Sequence, residues 1–208
     1  MFIFTRTLAF ILFVFLFLAV YKSWSGNKIY YFIWLFGFII LSAPGLLPIY
    51  QDRRHEAAID GDIATIRKYL EKGVDINIRD SRGLTFLHQA STYKHIDLVN
   101  FLIQNGADVN HQDSDGLSSL HVSILSGHIE VVRLLINSGA EINSKTLKGI
   151  TPLYRAANYG HRDIVSLLIQ HGAEVNSRAR NGKTALGVAL EKGYEGIAQI
   201  LRNHCAME

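Results

Sequence analysis

The chain has 208 residues, a single cysteine, and 21 Lys and Arg against 18 Asp and Glu, for a formal charge of +3. All of the acids lie beyond residue 50, and the first fifty residues hold only Arg6, Lys22 and Lys28, so residues 51–208 balance at 18 bases to 18 acids. A neutral body offers no net field for phosphate, which argues against a nucleic-acid partner. The lone Cys205 excludes the disulfide-rich class and a multi-thiolate zinc site.

In chain order, residues 8–21 come first and carry no charge; Phe2, Ile3 and Phe4 extend the apolar run backwards across Arg6. A second apolar run covers residues 29–49. Because about 20 residues at ~1.5 Å rise cross a ~30 Å hydrocarbon core, the expectation is a domain at 1–50 made of two transmembrane helices, about 4–21 and 29–49. Pro44, Gly45 and Pro48 predict a kink or early exit near Ala43, and Tyr21, Trp24, Tyr30, Tyr31 and Tyr50 fall where interfacial rings settle. Lys22 and Lys28 in the connecting loop are outnumbered by Arg6, Arg53, Arg54, Arg67 and Lys68, which predicts both termini in the cytoplasm. The implied location is integral to a plasma or inner membrane, with the lipid bilayer as a partner. Cleavage as a signal peptide is the rival reading of the first run, but residues 17–21 lack a small-x-small site.

Residues 55–203 match themselves at a shift of 33. Gly73, Gly106, Gly139 and Gly172 fall on that interval, as do Asn77, Asn110, Asn143 and Asn176, and Gly83, Gly116, Gly149 and Gly182. Apolar columns agree: Leu87, Leu120, Leu153 and Leu186; Leu102, Leu135 and Leu168. Thr85, Ser118, Thr151 and Thr184 stand where a hydroxyl caps a first helix, with Pro152 at a first helical position. A second helix shows the stripe Ile129, Val131, Val132, Leu134, Leu135 and Ile136, ending at Gly139 as a left-handed cap. One such short helix pair cannot bury its apolar face alone, so the units must stack.

This pattern resembles the ankyrin repeat family, most closely at Gly149-Ile150-Thr151-Pro152-Leu153-Tyr154 and Gly83-Leu84-Thr85-Phe86-Leu87-His88, and in the segments Gly127-His128 to Asn143 and Gly160-His161 to Asn176. The expected fold is all-α: an N-terminal transmembrane helical hairpin followed by an ankyrin-repeat solenoid of helix-turn-helix units joined by β-hairpin loops. The repeats are placed at about 52–80, 81–113, 114–146, 147–179 and 180–208 within a domain at 51–208. Both end units are imperfect. The first replaces the Gly-x-Thr-Pro-Leu entry with Gln51-Asp52-Arg53-Arg54, and the last has Gly187 where others have His or Tyr.

Nine histidines raise the question of a metal or a general base. Six fall into two columns, His55, His88 and His121, and His95, His128 and His161. Equivalent residues of stacked repeats sit ~8–10 Å apart, whereas zinc ligands each bring a nitrogen to ~2.0–2.1 Å. The resemblance implies that they bond backbone within and between repeats. His111, His171 and His204 have no His or Cys at ligand spacing. Gly182-Lys183-Thr184 copies the end of a phosphate loop, yet Ser177 stands where its first Gly belongs. No cofactor, metal, small-molecule substrate or enzymatic activity is expected.

What remains is surface. The resemblance implies a protein partner held by the hairpin tips and the concave face of the first helices, and the candidate residues are Arg82, Leu84, Tyr93, Asp115, Leu117, Leu125, Lys148, Ile150, Asn158, Tyr159 and Lys183. Leu84, Leu117 and Ile150 either line an apolar binding strip or only pack hairpin against hairpin. The expected function is a membrane-anchored protein-interaction scaffold. The alternative is an accessory or regulatory subunit of a transporter or channel complex, with the helical hairpin as its working part. Those spans hold no ionisable residue at their centres, which speaks against an ion path through this chain alone.

Overall fold

The computed structural model describes residues 54–204. Helix pairs recur along it. A helical stretch at 54–59 precedes the helix Ile63–Glu71; then follow Phe86–Thr92 with Ile96–Gln104, Ser119–Leu125 with Ile129–Asn137, Pro152–Tyr159 with Arg162–Gln170, and Ala185–Glu191 with Glu195–Asn203. First helices begin at 86, 119, 152 and 185, and second helices at 63, 96, 129, 162 and 195, a constant step of 33. From Phe86–Thr92 onward, each first helix packs on the first helix of the next repeat, each second on the next second, and the two pack within the pair.

The helix starts follow from the residues. Thr85, Ser118, Thr151 and Thr184 are the N-caps of the first helices, with extended backbone. The Thr151 hydroxyl accepts the Tyr154 N–H at 3.2 Å and that of Thr184 accepts the Gly187 N–H at 3.1 Å, each satisfying an otherwise orphaned donor. Pro152 sits in the first turn, where its missing N–H costs nothing. Thr184 as a cap also explains the phosphate-loop lookalike, since the loop runs into a helix with no strand before it.

The core is one continuous column. Leu87, Leu120, Leu153 and Leu186 are buried on the first helices, and Leu102, Leu135, Leu168 and Leu201 on the second. Removing a leucine side chain from water contributes roughly 1.5–3 kcal/mol, more than a seven-residue helix gains from its own propensity. Stacking therefore holds the helices, and the ends show it. The helix Ile63–Glu71 buries only Ile66, whereas Ile129–Asn137 buries Val131, Val132, Leu135 and Ile136. The connecting hairpins are tight turns rather than ladders: among the described residues the β pairing is a single bridge, Gln112 to Ser118.

One expectation is corrected. No helix among the described residues is long and apolar enough to cross a membrane. The physical reason is length and pattern: a nine-residue helix such as Ile129–Asn137 rises ~13 Å against a ~30 Å hydrocarbon core, and its apolar residues form one stripe that the stack already covers. The transmembrane hairpin as part of the fold, and the integral-membrane localisation, do not stand on this structure, and the lipid partner and transporter-subunit readings that depend on them receive no support. The runs at 4–21 and 29–49 lie outside the described residues.

Candidate functional site

Three sets of bonds fix the hairpins in a row. At the tips, backbone pairs with backbone across repeats: Ser114 N–H to Arg82 O, Leu147 N–H to Asp115 O, and Arg180 N–H to Lys148 O, each at 3.0 Å. Such an approach leaves no room for a side chain. A Cβ on Gly116, whose φ is +77°, would lie 2.8 Å from the Leu147 amide nitrogen. Below the tips, Asp80 Oδ1 accepts from Arg82 and Leu84 N–H, and Asp113 Oδ1 from Asp115 and Leu117 N–H, at 2.8–2.9 Å. These turns are the reason aspartate stands there.

The second set is the asparagine column. Asn110 Oδ1 accepts the Glu141 N–H at 2.8 Å while its amide donates to Gly139 O at 3.1 Å; Asn143 repeats this with Glu174 and Gly172, and Asn77 accepts from Asp108.

The histidines form the third. His121 Nδ1 accepts the Ser118 N–H at 3.3 Å, and Nε2 lies 3.2 Å from Ile150 O. An amide can only donate and a carbonyl only accept, so His121 is neutral with its proton on Nε2. His88 does the same, with Thr85 N–H at 3.2 Å and Leu117 O at 3.0 Å. Burial pushes the pKa of both rings down, that of His121 to about 4, where the positive charge of Arg155 adds to the effect and the Ile150 bond opposes it. The other column reaches backwards: His95 Nε2 to Ile59 O at 2.6 Å and His128 Nε2 to Thr92 O at 3.1 Å. Each of these four rings thus addresses a separate carbonyl, while His161 Nε2 is buried without a hydrogen-bond partner, and among the described residues no group of three or more His, Cys, Asp or Glu could hold a metal ion.

The consequence for recognition lies at the residue before each capping hydroxyl. Leu117 and Ile150 have carbonyls pinned by His88 and His121, while their side chains stay half-buried, as Leu84 does. Ile150 also packs on the core, so at that end the strip is partly structural. Around it Arg82, Asp115, Lys148 and Lys183 are exposed at the tips, and Asn158 is half-buried. Tyr93, Leu125 and Tyr159 project from the ends of successive first helices at 51%, 40% and 46% exposure. Not all of these are equally free: Arg82 pairs with Asp80 and Lys183 with Glu191.

Residues 55–146 and 143–207 match the ankyrin repeats (three copies) family model, together 55–207, nearly three quarters of the chain. The chain belongs to the ankyrin repeat family. It is similar to ankyrin repeat domain-containing protein 46 of Rattus norvegicus, 47% identical over 47 residues, which is 23% of this chain and 21% of that protein. The Mus musculus protein of that name matches equally, and that of Danio rerio is 50% identical over 42 residues, 20% of this chain and 18% of its own. The chain thus spans about a fifth of the length of these relatives.

An ankyrin stack is a protein-protein interaction module, and the exposed row is where this one differs from repeat to repeat. Three further residues stand out beside the candidates. Leu147 is 57% exposed at a hairpin tip, Tyr194 is 37% exposed where earlier repeats have a histidine, and Arg155 occupies the first-helix column of Gln89, Val122 and Val188. Leu147 was legible in part, as a tip residue in the column of Ser81, Ser114 and Arg180. Nothing in the sequence distinguished Arg155.

Proposed function

We propose that this stack is a non-enzymatic scaffold holding a protein partner against its hairpin tips and the exposed ends of its first helices, through Arg82, Leu84, Tyr93, Asp115, Leu117, Leu125, Lys148, Ile150, Asn158, Tyr159 and Lys183. One observation supports it above others: Tyr93, Leu125 and Tyr159 are large apolar side chains left exposed on successive repeats, beside backbone that histidines and tip bonds hold rigid. Rigid aromatic anchors lower the ordering cost of association and dominate interface energetics.

The test is the combined variant Tyr93→Ala, Leu125→Ala, Tyr159→Ala. These side chains are about half exposed, with Tyr93 and Tyr159 stacked on His95 and His161, so the urea midpoint should fall but the folded baseline should persist. Hot-spot truncations cost roughly 2 kcal/mol or more each, so proteins captured specifically by the wild-type chain, quantified by mass spectrometry, should be lost. Retention of every one of them would refute the face.

A further inference from the structure

On the first helix of the fourth repeat, Arg155 is half-buried. Its Nε is removed from solvent and hydrogen-bonds to nothing, and among the described residues no ion pair reaches it. Asp113, the carboxylate whose charge acts on it, already has Oδ1 committed to the Asp115 and Leu117 amides. An unmade bond at a desolvated Nε is costly, and the two Nη groups, which are neither hydrogen-bonded nor closed off from solvent, are the ones an arriving acceptor can reach.

The surroundings indicate what that acceptor is. Residues 142–161 and 175–190 contain Lys145, Lys148, Arg155, Arg178, Arg180 and Lys183; the acids that flank them are Glu141, Glu174 and Glu191, of which Glu191 pairs with Lys183. The preceding hairpin is the reverse, with Asp113 and Asp115. Positive charge is therefore concentrated on the last two hairpins. Exposed Leu147 and Tyr159 lie in the fourth repeat with Lys148, Arg155 and Arg178, and Leu125 lies in the third with Lys145.

We propose that the surface of the third to fifth repeats takes an extended acidic segment of a protein, with one Asp or Glu carboxylate paired to Arg155 and apolar residues beside it on Leu125, Leu147 and Tyr159. This rests on the reading of that face as the partner surface, and adds the chemistry of the occupant. The planar guanidinium fits a carboxylate through two parallel N–H bonds, which an ammonium cannot reproduce.

The test uses the full-length chain as bait for a displayed library of random short peptides. Selected sequences should be enriched in Asp or Glu next to apolar residues. For one such peptide, Arg155→Gln and replacement of the peptide's acid by its amide should each weaken binding on the order of tenfold to a hundredfold. The two losses should not add, since both remove the same pair; Arg155→Lys should retain part of the affinity. Additive losses, or selected peptides without acids that still depend on Tyr93, Leu125 and Tyr159, would overturn the pairing and leave the face standing. Peptides indifferent to both sets of variants, or no enrichment at all, would overturn the face as well. Displacement of the peptides by single-stranded DNA, with Arg155-dependent binding of that DNA, would replace the acidic segment by a phosphate polyanion.

Discussion

His121 links the cap of one repeat to the hairpin of the next, and it does so only when neutral. Its folded pKa is about 4 against an ordinary 6.5. The sign follows from proton counting. Above 6.5 neither folded nor unfolded chain protonates the ring and the stability is whole; below 6.5 the unfolded chain binds a proton that the folded one refuses. Stability therefore falls with pH, by about 2 kcal/mol at pH 5 and about 3 kcal/mol at pH 4 from this ring alone. His88, also lowered by burial, acts in the same direction. The variant His121→Gln isolates the contribution, because glutamine three residues after Ser118 can still accept the capping N–H but does not titrate. Urea unfolding of both proteins from pH 7 to pH 4, followed by circular dichroism, gives a difference curve in which the carboxylates cancel. That curve should be flat above pH 6.5 and fall below it. Equal pH dependence in the two proteins would refute the buried-neutral assignment of His121.

The glycine columns make a matched comparison. Gly116 and Gly139 have φ of +77° and +87°, but a Cβ meets backbone at 2.8 Å on the first and nothing within 4 Å on the second. Gly139→Ala should cost about 1–2 kcal/mol, the strain of left-handed backbone alone, and Gly116→Ala distinctly more in urea unfolding, since the Asp115–Leu147 tip bond must open. Asn110→Ala removes a donor and an acceptor that join two repeats. It should lower stability by about 1–3 kcal/mol, with faster hydrogen exchange at the Glu141 amide as the local readout.

Residues that serve the backbone were legible because their chemistry repeats with the backbone. Threonine or serine at 85, 118, 151 and 184 predicted caps, and those residues are the caps. The resemblance implies backbone bonding for both histidine columns, and four rings make such bonds at the stated distances, whereas His161 Nε2 is buried without a hydrogen-bond partner. The hairpins were less legible, since each is closed by a single short turn, Asp80 N–H to Leu84 O, Asp113 to Leu117, Thr146 to Ile150 and Ala179 to Lys183, and tied to the next tip by a bond between repeats, with one isolated bridge in place of a ladder. Lys94 was invisible. It stands in the column of Gly61, Gly127, Gly160 and Gly193 and adopts φ +61°, left-handed backbone that costs a lysine about 1–2 kcal/mol. Its ammonium reaches Glu130 of the next repeat at 3.2 Å, an exposed pair too weak to offset that strain in full. The neighbours of such a position are set by stacking, which no single repeat's sequence states.

The same division explains why the surface can vary without loss of fold. In the sequence Gly-x-Thr/Ser, the carbonyl of x is what the preceding repeat's histidine bonds, at Leu117 and Ile150 alike. Any side chain supplies that carbonyl. Position x is thereby rigid in backbone while its side chain is held only by partial burial, and the tip residues pair across repeats mainly through N–H and C=O groups, with the Ser114 hydroxyl adding a bond to Arg82 O. Arg155 shows the limit of that freedom. Val122 and Val188 in its column are buried without a polar atom to satisfy, whereas Arg155 places a charged one where the stack provides no partner. The column holds buried Val122, Val188 and Gln89, none of them charged; the proposed acidic segment would supply the carboxylate that Arg155 lacks within the stack.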